Sequence, residues 1–143
     1  MTAGTAPSDA LSSFAFAVPG GPTAAATARR TILTRDGTLD GDVREAVLLL
    51  VTELVTNAVR HGEVGTHESV RVAFQQSRWG VRVEVVDLGP GFERPLGHPG
   101  GPGGGWGLYL VEQVADRWGV RPMTPGACVW FEIDSTADQP LFA

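Results

Sequence analysis

Glu53 and Asn57 stand four residues apart in VTELVTNAVRHG, residues 51–62. On a helix the i, i+4 spacing puts both on one side, with Arg60 or His61 two turns beyond Glu53. A carboxylate there can deprotonate a hydroxyl, and an amide oxygen is a hard ligand suited to Mg²⁺. Two further stretches carry chemistry. Asp87-Leu88-Gly89-Pro90-Gly91 places a carboxylate at a strand end, where it can accept from an adenine amino group. Gly103-Gly104-Gly105-Trp106-Gly107-Leu108 runs into a helix, where free N–H groups favour anions. Each has a plain reading too. A Glu and an Asn can share a solvated helix face, Asp-x-Gly can be a turn, and a glycine run can be a linker.

The rest of the chain must position these residues. Ala46 to Val51 reads AVLLLV, so a helix over about 42–61 presents a broad apolar face ending at Gly62. Ser13 to Val18 alternates as a first strand, and a helix is expected over about 23–34. Glu68–Gln76 and Val81–Asp87 read as an antiparallel hairpin. Gly107 to Trp118 returns to helical spacing, with Leu108, Val111, Val114, Ala115 and Trp118 on one face. Arg121 and Ala127 to Ile133 suggest a last hairpin. The order predicts an α+β, two-layer sandwich with helices on one face of a mixed, mostly antiparallel sheet. The expected division is a disordered N-terminus over 1–12, one domain over 13–134 and a flexible tail over 135–143.

Composition narrows the function. The 143 residues suffice for one domain, with 43% hydrophobic and 19% charged residues and a net charge of −5, which argues against a nucleic-acid surface. All basic side chains are Arg, so phosphate contacts from basic groups fall to Arg or His. A single cysteine, Cys128, excludes an internal disulfide and a cysteine-based zinc site. It is expected in the core. No signal peptide or membrane span is legible, and the expected location is the cytoplasm. Trp118 and Trp130 fall at core-facing spacing. Trp79 reads as hairpin packing. His67 and His98 lack a partner at metal-ligand spacing. Ser12, Ser13, Ser69 and Ser77 lack a nucleophile context.

Together the three stretches resemble the GHKL ATPase superfamily, whose members include gyrase-type, chaperone, mismatch-repair and histidine-kinase ATP-binding domains. ELVTNAVRHG (53–62) is similar to its N box, DLGPG (87–91) to its first glycine box, and GGGWGLYLV (103–111) to its second. The likeness covers about Phe14 to Ile133. NAVRHG and the ending ADRWGV…ACVWFEI most resemble the stand-alone bacterial anti-sigma-factor serine kinases.

The resemblance implies ATP and Mg²⁺ as cofactors. It implies Glu53 as general base, Asn57 as the Mg²⁺ ligand and Asp87 on the adenine amino group. Gly89 and Gly91 would shape the adenine pocket, and Gly103, Gly105, Trp106, Gly107 and Leu108 would belong to the phosphate lid. Arg60 or His61 could reach the phosphates, or His61 could favour the helix C-terminus. A sigma factor and an anti-anti-sigma protein are the implied partners, with homodimer formation as a further expectation. One departure stands out. Trp106 occupies the place where many relatives carry Arg, and residues 97–107 hold no Arg or Lys, the nearest upstream being Arg94. Losing one charge-assisted phosphate contact costs about 1.5–3 kcal/mol. The competing expectation is therefore an interaction module that regulates a partner without catalysis.

Overall fold

The structure is a computed structural model, and it describes residues 10–39, 41–61, 69–87, 106–123 and 126–135. Eight elements follow one another: β1 (Ala10–Pro19), α1 (Ala24–Arg35), α2 (Gly41–His61), β2 (Ser69–Ser77), β3 (Gly80–Asp87), α3 (Trp106–Val114), β4 (Arg117–Pro122) and β5 (Ala127–Asp134). The strands form one sheet in the order β1-β2-β3-β5-β4. Each of the four pairings is antiparallel.

Period-2 alternation gives the sheet two unlike faces. Phe74, Val83 and Phe131 stand abreast in register and are buried. With Val18, Val72 and Val129 they form the face that the helices cover. α2 lies over it, contributing Val47, Leu50, Val51, Leu54, Val55 and Ala58, all at most 2% exposed. That apolar stripe is AVLLLV continued at helical spacing. α1, rich in alanine, packs beside α2 through Ala24, Ala28 and Ile32, and α3 adds Leu108 and Val111. The architecture is the expected α+β sandwich.

The β2–β3 hairpin turns at Arg78-Trp79, and Gly80 follows with φ 153°. A Cβ at Gly80 would run into the Ile133 carbonyl oxygen, so β5 can pair this close only to glycine.

Two expectations need correction. Trp118 does not extend α3: the helix stops at Val114, and Trp118 lies in β4 opposite Phe131. Its side chain still packs on the core. Trp130 is not core. It falls between Val129 and Phe131 on a strand, so the pleat turns it to the outer face, half-exposed beneath the Arg82 guanidinium at 4.4 Å from its ring centre. Gly119 stands opposite, and a Cβ there would meet the indole at 2.9 Å.

A buried polar junction ties the approach to α2 onto the sheet. After α1, Asp36 accepts from the Thr38 amide at 2.9 Å and the Thr38 hydroxyl at 2.7 Å. Gln76, fully buried at the end of β2, turns its amide nitrogen toward Asp36 Oδ1 at 3.1 Å and Thr38 Oγ1 at 3.2 Å, and contacts Asp36 Oδ2 as well. In that orientation the Gln76 amide nitrogen faces acceptors, as a buried donor must.

Candidate active site

Glu53 and Asn57 share one edge of α2, the side adjoining the core stripe. Glu53 is half-buried, while Asn57 is 5% exposed. Among the described residues, no hydrogen bond serves the Asn57 side-chain amide. A buried amide without a partner costs about 1–3 kcal/mol. Apolar neighbours Leu54, Val55 and Ala58 on the same turns have no such need. α2 packs against both α3 and β3, the elements that carry parts of the other two motifs.

Asp87 is the last residue of β3, backbone-paired with Ala127. Trp106 and Gly107 open α3, and Leu108 follows, 4% exposed in the core cluster. Leu108 therefore anchors the start of α3 to the body of the domain. His61 is the last residue of α2. The side chains of His61, Asp87 and Trp106 lie outside the described residues, as do Gly89, Gly91, Arg94, Gly103 and Gly105. Arg60 is exposed on the last turn of α2 and lines a cavity against α1.

Mg²⁺ suits this donor set. It binds through few protein oxygens and leaves the rest of its shell to phosphates and water. Among the described residues no cluster of three His, Cys, Asp or Glu could cage a metal, whereas the Asn57 amide, without a described partner, offers one oxygen.

The outer sheet face, which the sequence reading did not single out, is chemically the opposite. Arg117 bonds to Glu132 at 2.6 Å and to Asp134. Arg82 bonds to Glu132 at 2.9 Å and Glu84 at 3.1 Å, and Arg121 approaches Glu84 at 3.8 Å. Burial alone would push the Glu132 carboxyl up, but bonds from Arg117 and Arg82 outweigh it and hold it below the ordinary range. Burial pushes the Cys128 thiol up, and the Glu84 charge adds to that. The signal was present as charges at every second residue of β3 and β5: Arg82, Glu84, Glu132 and Asp134. The two concavities on this face take in Arg82, and neither includes Glu53 or Asn57.

An antiparallel sheet under three helices, with an acid–amide pair on the central helix, makes the described residues an α+β sandwich. Residues 19–133 match the histidine kinase-like ATPase domain, and the chain belongs to that family. Its fold is similar to the crystal structure of the RsbU and RsbW domains of Rv1364c from Mycobacterium tuberculosis, at a TM-score of 0.60 and 20% identity. That likeness covers 87% of this chain and 33% of the other, so the chain spans about a third of the length of its structural relative. No curated protein matches the chain. Among the described residues no helix is long and apolar enough to cross a membrane.

Proposed function

We propose that the chain is a Mg-ATP-dependent protein serine/threonine kinase of the anti-sigma type. It would transfer the γ-phosphoryl group to a serine of an anti-anti-sigma partner and so govern a sigma factor. The observation that carries this reading is Asn57: a buried amide without a described partner, one turn from a half-buried carboxylate on the same helix edge. Membership of the ATPase family and the RsbW-like fold support it, as do the motif resemblances.

In this reading Glu53 accepts the proton of the attacking serine hydroxyl. The serine oxygen bonds to the γ-phosphorus as the bond to ADP breaks. Asn57 would hold Mg²⁺, which supplies charge neutralisation on the phosphates. Asp87 binds the adenine amino group, and Gly89 and Gly91 admit the base close to the backbone. Gly103, Gly105, Trp106 and Gly107 form the lid, with Leu108 as its buried anchor. Such a site works by positioning and charge stabilisation.

A second reading, a partner-binding module without turnover, draws on residues 97–107, which hold no Arg or Lys. Calorimetry with Mg-ATP on the wild type and Asp87→Asn separates the two. The kinase reading expects wild-type heat that Asp87→Asn loses; no wild-type heat at millimolar ATP overturns it. Labelled ATP with candidate anti-anti-sigma proteins then tests transfer. Glu53→Ala should abolish transfer and keep binding, and a transfer-competent Glu53→Ala protein would remove Glu53 as the base.

A further inference from the structure

A cavity of about 270 Å³ opens between the start of α1 and the last turns of α2. Pro22, Ala24, Ala25 and Val59 give it apolar walls, Thr56 adds a hydroxyl, and among the described residues Arg60 is its one charged lining group. One turn further along α1, Arg29 donates to Thr52 Oγ1 at 2.9 Å, and Thr52 in turn donates to the Leu48 carbonyl at 2.7 Å. That bond fixes α1 against α2 and holds the cavity's walls apart at a set distance.

The charge around this seam runs against the rest of the chain. α1 reads AAATARRTILTR, with three arginines and no acid, in a protein of net charge −5. Arg30 and Arg60 are exposed. The ion pairs of Arg82, Arg117 and Arg121 join residues on the strands of the sheet. Neither Arg30 nor Arg60 has a described carboxylate partner. Arg82, Arg117 and Arg121 on the outer sheet face, in contrast, are paired with Glu84, Glu132 and Asp134.

We infer that the α1–α2 seam docks an acidic protein segment, which seats an apolar side chain between Pro22, Ala25 and Val59 and sets a carboxylate against Arg60. Charge complementarity selects an acidic occupant over a basic or neutral one. Thr56 and Arg60 flank Asn57 in sequence, on the last turns of the helix that carries Glu53. A partner held here is held beside the site. The inference rests on the kinase reading only in naming that partner the phosphoacceptor; the docking surface itself does not depend on turnover.

The test uses the full ¹⁵N-labelled chain and a synthetic peptide of alternating Asp and Glu with two central leucines. A control peptide replaces every Asp and Glu by Asn and Gln. Amide shifts from the acidic peptide should centre on Ala24, Ala25, Thr56 and Val59, weaken as salt rises, and vanish with the control. Arg60→Glu and, separately, Ala25→Asp should weaken binding about tenfold, with circular dichroism unchanged. Shifts centred on Arg117 and Arg121, equal binding by both variants, or no binding at millimolar peptide would each overturn the proposal. Mg-ATP calorimetry on the same sample keeps the two readings apart. ATP heat without peptide binding defeats the docking surface alone; peptide binding without ATP heat leaves it standing and defeats the kinase reading.

Discussion

Among the described residues two side-chain amides are buried, and they are treated in opposite ways. Gln76, at the end of β2, is 0% exposed and meets both Asp36 and Thr38. Asn57, near the end of α2, is 5% exposed and has no partner among the described residues. A buried polar group contributes to a fold when its hydrogen bonds are made there, and it opposes the fold when they are not. Gln76 is thus explained by folding alone. Asn57 has no such described partner, and in the proposed function a ligand completes it.

The contrast can be broken from either side. Phe74→Ala gives the scale of an ordinary core loss: Phe74 is 1% exposed, and chemical denaturation should register about 3–5 kcal/mol. Asp36→Ala strands Gln76 and frees the Thr38 amide. It should cost about 1–3 kcal/mol while Mg-ATP heat per folded molecule stays unchanged. Lost ATP binding in a folded Asp36→Ala protein would mean that the matched junction is part of the site after all. Glu132→Gln loosens the outer ion-pair network, and the loss should be about 0.5–1 kcal/mol near neutral pH. The sign of its pH dependence follows from a carboxyl held below its ordinary range. Its stabilisation is present above the ordinary glutamate range and is lost as pH falls through the lowered value. The gap between wild type and Glu132→Gln should therefore close on acidification, and denaturation midpoints from pH 7 to pH 3 measure it. Smallest of all, Cys128 should resist a maleimide at pH 7, because burial and Glu84 keep its thiol protonated; rapid native labelling would contradict that.

Much of this was legible in the sequence, for a physical reason. AVLLLV and its continuation at helical spacing specify α2 because a 21-residue amphipathic helix has one way to bury that stripe. Alternation in β2 and β3 likewise fixes which residues face the helices. Trp118 packs on the core as expected but from β4, because the helical spacing runs on past the end of α3; Trp130 was misread because a large apolar side chain looks like core under any period. Trp130 is placed by the pleat between Val129 and Phe131, and its partners Arg82 and Gly119 come from other strands. The Asp36–Gln76 junction joins residues forty positions apart, so no local pattern reveals it. At the site, Glu53 and Asn57 were found by spacing, and the burial that makes Asn57 informative came from the fold. The cavity beside Arg60 needs α1 and α2 side by side, which spacing along one helix cannot express.

Asn57→Leu is the most direct measurement, because it removes the amide that has no described partner and keeps the side chain's approximate size. Denaturant unfolding and Mg-ATP calorimetry on the same preparation should give opposite answers: stability unchanged or raised by about 1–2 kcal/mol, and nucleotide heat lost in the presence of Mg²⁺. An Asn57→Leu protein that is destabilised by as much as Asp36→Ala, or that binds Mg-ATP like the wild type, would contradict the account.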